Sequence, residues 1–190
     1  KTPLAALNIY KAILQLQAEP DTVREFTALS EMELDRIQTL VHFLLTITKL
    51  DAGTIMLDKS EHNLSDLIAD VKRRFAVQAQ QQGTMLSCSG DAAISLFCDA
   101  HWLSEAISNL VKNALDHTKA GDTVTVTWRA FASIVQITVQ DSGSGIHPED
   151  LPHIFKRFYR SRFSKDTQGV GLGLPLATAI IEAHRGTIEV

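Results

Sequence analysis

With 190 residues, 45% hydrophobic and 21% charged, the chain has the usage of an ordinary soluble protein, one large domain or two small ones. A formal charge of −4 gives no basis for nucleic acid or an anionic membrane as partner. Cys88 and Cys98 have neither metal-ligand spacing nor the number of a disulfide framework, so reduced, buried thiols of a cytosolic protein are expected.

From Pro3 to about Leu50 there is no glycine, and the apolar residues follow a helical period. Leu4, Leu7, Tyr10 or Ile13, and Leu14 can share one face. Glu19-Pro20-Asp21 breaks the pattern, because proline disfavours helix in the residue before it. Phe26, Leu29, Met32, Ile37, Leu40, Leu44 and Ile47 then continue a stripe along a long second helix. Asp51-Ala52-Gly53 ends it, glycine being suited to a left-handed cap. Residues 1–53 therefore read as an antiparallel helical hairpin. Its stripe is too long for one partner helix to bury, so a homodimer pairing two hairpins as a four-helix bundle is expected. No apolar run reaches membrane-spanning length and no signal peptide is visible. The opening Lys1-Thr2-Pro3 reads as the start of a piece of something longer, in which any membrane segment would lie.

Residues 54–190 are mixed in pattern. A short strand is expected over 55–57 and a helix over 65–80, where Leu64, Leu67, Ile68, Val71 and Phe75 suit one face. Strands are expected over 85–88 and 95–98. Asp99 can N-cap a helix over 101–117, its carboxylate accepting free backbone N–H groups. Residues 123–130 and 134–140 alternate with period two around a short turn, an antiparallel hairpin. A last helix over 174–184 tolerates Pro175 in its first turn and has Gly186 after its end. The fold class is α+β: the hairpin, then an α/β sandwich with helices on one face of a mixed sheet.

Four motifs in the second part point to a nucleotide triphosphate. In Asn109-Leu-Val-Lys-Asn113-Ala-Leu-Asp-His-Thr118, the two amides are spaced i, i+4 and project from one helix face. Carboxamide oxygens are hard neutral ligands suited to Mg²⁺ that already carries water and phosphate oxygens. The bland alternative is a pair of amides bonding neighbouring loops. In Gln140-Asp141-Ser142-Gly143-Ser144-Gly145-Ile146, an acceptor-only carboxylate at a strand end can take the exocyclic N–H of adenine. The glycines let the backbone approach a ligand. The alternative is an ordinary Asp-Gly turn. Gly169-Val-Gly171-Leu-Gly173-Leu174 leads into the last helix, whose free N–H groups and dipole make an anion site. No Gly-Lys-Ser/Thr follows, so this is not a Walker loop. Phe155 and Phe158, in Phe155-Lys-Arg-Phe158-Tyr-Arg160, read as core anchors. Arg157, Arg160, Arg162 and Lys165 form a polar stretch, one of which can neutralise a terminal phosphate.

In this order the four motifs resemble the catalytic and ATP-binding domain of bacterial sensor histidine kinases, within the gyrase, Hsp90 and MutL ATPase superfamily. Lys1-Thr2-Pro3-Leu4 resembles the end of the family's phosphoacceptor motif, and Leu50-Asp51-Ala52-Gly53 its usual end of the second helix. The resemblance implies that Asn113 ligates Mg²⁺ and that Asn109 positions the metal or its waters. It implies that Asp141 reads adenine, that Gly143 and Gly145 shape the base pocket, that His117 lines the nucleotide and that Arg160 contacts phosphate. Gly169, Gly171 and Gly173 become the second glycine box, beyond a mobile lid over 161–168. The resemblance also divides the chain into a dimerisation and phosphoacceptor hairpin, 1–53, truncated at its start, and an ATP-binding domain, 54–190, truncated at its end.

Three positions depart from the family's pattern. The phosphoacceptor histidine would lie three residues before Lys1, and none of His42, His62, His101, His117, His147, His153 or His184 has its motif context. Asp116 stands where the family is often basic. His184-Arg185-Gly186 replaces the usual His-Gly-Gly, and Glu189-Val190 falls inside what should be the last part of the sheet. The function implied is the cytoplasmic kinase core of a two-component sensor protein of the inner or plasma membrane. It would bind Mg-ATP and pass the γ-phosphoryl to a histidine, then to an aspartate on a response-regulator receiver domain. The alternative is a phosphatase or interaction module, in which Thr2 orients water against a phosphorylated partner; the bland reading of Thr2 is a helix N-cap. A hydrolytic ATPase is disfavoured, because such relatives carry a glutamate at the place of Asn109 and an amide cannot act as that base.

Overall fold

The computed structural model describes residues 3–14, 20–51, 56–161 and 170–190, and the chain divides into two compact units between Thr48 and Lys49. Thr2, Gly53, Ile55, Arg162, Lys165, Gly169 and positions 162–168 of the expected lid lie outside the described residues.

The first unit is built on α1 (Pro3–Leu14) and α2 (Pro20–Asp51). Pro20 opens α2, where its fixed φ suits a first turn and its missing N–H would have had no helical partner. The two helices meet through the rings of Tyr10 and Phe26, 5.5 Å between centroids. Along α2 the expected stripe is out of phase in places. Ile47 is buried, but Met32 and Leu44 are exposed, and Phe43, outside the stripe, is buried. Leu34, Val41 and Leu45, at i, i+7 and i+11 on one helix face, are exposed as well.

The second unit runs β1 (Ser60–Asn63), α3 (Leu64–Gln82), β2 (Met85–Gly90), β3 (Ser95–Cys98), α4 (Ala100–Asp116), β4 (Thr123–Ala130), β5 (Val135–Asp141) and α5 (Gly173–Ala183). Of the strand expected over 55–57, the described residues Met56 and Leu57 carry none, and β1 begins at Ser60. Ser60-Glu61-His62-Asn63 has no apolar alternation of its own. It is extended because it pairs antiparallel with β3, Ser60 opposite Cys98 and Asn63 opposite Ser95. Residues 187–190 carry no strand.

The main sheet has the order β2-β4-β5, with β2 parallel and β5 antiparallel to β4, and so is mixed. Val124, Val126 and Trp128 of β4 point to the helical side and are buried with Leu64, Leu67, Ile68 and Val71 of α3 and Leu103, Ile107, Val111 and Leu115 of α4. Each large side chain so buried contributes about 1.5–3 kcal/mol. The alternate residues Gln136, Thr138 and Gln140 of β5 are exposed on the opposite face, which no helix covers among the described residues. The expected layer, helices on one face of a mixed sheet, is the observed one.

Caps set the ends of α3 and α4. Asn63 Oδ1 accepts from Ser65 N and Asp66 N, and Gly83, at φ 70°, closes α3. Asp99 Oδ1 accepts from Trp102 N at 3.1 Å, the N-cap expected of it. Both cysteines are free thiols; Cys98 is buried, whereas Cys88 is only half-buried. Burial pushes the Cys98 thiol above its ordinary 9.0, the Asp99 carboxylate adds to this and Lys59 opposes it. Burial likewise raises Cys88 against the opposing pull of Lys72.

Candidate functional site

The four motifs, spread from Asn109 to Leu174, are joined by close backbone and side-chain approaches. Asn109 and Asn113 lie half-buried on α4. Asn109 Nδ2 donates to Glu105 O at 2.9 Å, one turn back, which occupies one of its two N–H donors and leaves Oδ1 turned the other way. That oxygen lies 3.2 Å from where a Cβ on Gly173 would sit, so the first residue of α5 packs directly on the Asn109 amide. Asn113, one turn further on, makes no side-chain hydrogen bond among the described residues.

At the other end of α4, His117 is half-buried and caps the helix. Its carbonyl would lie 2.3 Å from a Cβ at Gly143, so only glycine lets the first glycine loop close on α4. Asp141 is the last residue of β5. Its Oδ1 accepts from Gly143 N at 2.9 Å, a turn that folds the loop back. Ser142 Oγ accepts from Thr123 N and Ser142 N donates to Thr123 O, which ties the same loop to the start of β4. The turn reading of Asp141 is therefore correct as far as Oδ1 goes, and the second carboxylate oxygen is what the base-reading role requires. Gly145 has φ +69° and an open space where a Cβ would be.

The Phe155–Arg160 stretch meets the second glycine box at Gly171. Gly171 has φ +71°, and a Cβ there would lie 2.3 Å from Tyr159 O. Phe158 N donates to Gly171 O at 3.0 Å while Phe158 itself takes the left-handed conformation, φ 64°. Phe155 is half-buried, as a core anchor would be, but Phe158 is 56% exposed and is not one. Arg160 follows on the exposed side.

The departure at Asp116 is compensated locally: its carboxylate pairs with Lys112, one turn back on α4. His184 is a structural residue, as expected, and its ring is fully engaged. Nε2 accepts from Asp99 N at 3.1 Å and Nδ1 donates to Ile180 O at 2.8 Å. His62 Nε2 bonds Ser60 Oγ, and His147 Nδ1 accepts from Glu149 N.

Among the described residues no group of three or more His, Cys, Asp or Glu could hold a metal ion. Neutral amides together with a ligand's own oxygens are a donor set that Mg²⁺ takes with phosphates. The half-buried Asn113 amide and the Asn109 Oδ1 are donors of that type. A groove of about 410 Å³ lies elsewhere, at the opposite end of β4. It is lined by Ser89, Gly90, Asp91, Trp128 and Arg129 among others, and by none of the motif residues.

Residues 98–190 match the family model described as histidine kinase-, DNA gyrase B-, and HSP90-like ATPase. The chain is 33% identical over 193 residues to sensor histidine kinase CusS of Escherichia coli O6:H1 (strain CFT073), an alignment that covers 100% of this chain and 40% of that protein. The chain thus spans about two fifths of the length of that relative. Among solved structures, the Acinetobacter baumannii histidine kinase AdeS superposes with a TM-score of 0.80 at 20% identity, over 99% of this chain and 87% of that one. Histidine kinase ThkA, solved in complex with response regulator protein TrrA, superposes with a TM-score of 0.74 at 21% identity, over 97% of this chain and 52% of that one. At these identities the two structures speak for the fold.

Proposed function

Since residues 98–190 form an ATPase domain of the histidine kinase, DNA gyrase B and HSP90 type, and the whole chain is similar to sensor histidine kinases, we propose that it is the kinase core of such a sensor. The second part, 54–190, binds Mg-ATP; the hairpin, 1–53, dimerises and carries the phosphoacceptor region. In this reading Asn113 ligates Mg²⁺ and Asn109, its amide oriented by the bond to Glu105 O, offers Oδ1 to the metal or its waters. Asp141 accepts from the adenine amino group through the oxygen not used by Gly143, and Gly143 and Gly145 let the backbone close on the base. His117 lines the nucleotide, Arg160 meets phosphate, and Gly169, Gly171 and Gly173 serve as the second glycine box, with Gly173 opening α5, whose N-terminal N–H groups favour anions. Bound Mg²⁺ supplies neutralisation of the phosphate oxygens. The protein's share is positioning, because phosphoryl transfer asks for alignment and charge stabilisation rather than covalent help.

The observation that carries this reading is the convergence of four motifs through three approaches: Gly143 on His117, Gly173 on Asn109 and Gly171 on Tyr159. The acceptor is a histidine of the longer protein, three residues before Lys1, from which the phosphoryl passes to a receiver-domain aspartate. That ThkA has been solved with the response regulator TrrA supports a partner of this class. No helix among the described residues is long and apolar enough to cross a membrane, and the reading places the chain on the cytoplasmic side of a sensor anchored through other segments.

The test is incubation with γ-labelled ATP of this chain and of a version extended upstream of Lys1. Acid-labile label is expected on the extended protein alone, with onward transfer to a receiver domain. Equal labelling of both proteins would overturn the acceptor assignment. Release of phosphate from a phosphorylated receiver, without prior labelling, would favour the phosphatase reading in which Thr2 acts.

A further inference from the structure

Asp150 lies in the loop between β5 and α5 and is 2% exposed. Its Oδ1 accepts a 2.7 Å hydrogen bond from the Tyr159 hydroxyl. A carboxylate is driven out of the interior unless it is hydrogen-bonded, so a phenol donor at this distance is held firmly. The loop's turns converge on the same residue: His153 N and Ile154 N both donate to Asp150 O, at 2.7 and 3.0 Å. Lys156 N donates to His153 O and Tyr159 N to Lys156 O. The His153 ring rests against the Tyr159 ring, 5.4 Å between centroids.

Tyr159 is thus fixed at both ends. Its phenol is held by Asp150, and its carbonyl packs where a Cβ on Gly171 would be, 2.3 Å away. Between them Phe158 keeps a left-handed backbone, φ 64°, a conformation that persists only where the surroundings over-determine it. The residue after Tyr159 is Arg160.

We propose that Tyr159 is a positioning residue for the phosphate end of the nucleotide site: Asp150 clamps its phenol, and the clamped backbone presents Arg160 beside the Gly171 turn. This rests on the reading that Arg160 meets the terminal phosphate. Loss of the hydroxyl alone would keep the ring and its contact with His153 while letting the Arg160 backbone wander.

Calorimetry with Mg-ATP and Mg-ADP on the full chain, as wild type, Tyr159→Phe, Arg160→Ala and the double variant, tests this. Tyr159→Phe is expected to lower the ATP-over-ADP preference by about fivefold, with ADP affinity kept within about twofold. In the Arg160→Ala background the same change is expected to add nothing, because the two act as one unit. A purely structural role would lower both affinities together, and that result overturns the proposal. An equal effect in both backgrounds overturns it too, since Tyr159 would then act without Arg160. If Arg160→Ala leaves the preference unchanged, the phosphate reading of Arg160 itself fails. If Arg160→Ala lowers it and Tyr159→Phe does not, only the positioning role fails.

Discussion

At Asn113 the amide makes no side-chain hydrogen bond among the described residues, while its neighbour Asn109 has one N–H committed to Glu105 O. An uncommitted amide on a helix is free to serve as a metal ligand. Asn113→Ala should therefore weaken Mg-ATP by about tenfold or more, a scale set by even the outer partners of metal ligands. Nucleotide without metal should bind nearly as before. Equal losses with and without Mg²⁺, measured by titration calorimetry, would remove Asn113 from the metal. Asp141 has two oxygens with two tasks: Oδ1 already holds Gly143 N. Asp141→Ala should cost about 1.5–3 kcal/mol of ATP affinity, the range for hydrogen bonds to charged groups, and lower the ATP/GTP ratio. Asp141→Asn keeps an oxygen for Gly143 N but can place a donor where adenine presents its own. It should lose ATP preference while the turn and the melting temperature stay intact. An unchanged ATP/GTP ratio in both variants would leave Asp141 as a turn residue alone.

The elements meet the site at their ends, and each end is set by a specific device. Asp99 caps α4, takes Asp58 N on its other oxygen at 2.9 Å and gives its own N–H to His184. One residue thus ties the start of α4 to the end of α5. The end of α5 carries a cost: Gly186 N donates to Ile181 O and Arg185 N to Glu182 O, a left-handed closure in which the central residue is Arg185 at φ 63°. A side chain there is opposed by its own Cβ, whereas glycine is not. Arg185→Gly should stabilise the protein by about 1 kcal/mol and raise its melting temperature by roughly 3 °C. A lower melting temperature would mean that the Arg185 side chain makes a contact worth more than the strain.

For the whole molecule, assembly turns on the apolar surface of the first unit. Leu34, Val41 and Leu45 form an exposed apolar row on α2, the kind of surface a second hairpin would cover. Light scattering on the full chain is expected to read twice its 20.9 kDa at micromolar concentration. Val41→Glu with Leu45→Glu is expected to return it to the monomer with Mg-ATP affinity unchanged, because α4 and α5 are not touched. A wild-type monomer under the same conditions would remove the homodimer from the reading.

Local physics was legible in the chain itself. The 3.6 and 2.0 periods of α3 and of the β4–β5 hairpin, the cap at Asp99 and the glycine boxes are all properties of near neighbours in sequence. The ends of those elements follow from proline, glycine and capping side chains, which act within a turn or two. The rest depends on partners far along the chain. β1 is extended because β3 offers it hydrogen bonds, and so 60–63 carries no strand pattern of its own while the apolar 55–57 does. Gly90 is required by the Trp128 ring, 2.3 Å from where its Cβ would be. The closure of Gly143 on His117 and the Asp150–Tyr159 clamp are of the same kind. Such contacts arise when folding removes water from both partners at once, and no single segment carries the mark of a neighbour it meets only in the folded state.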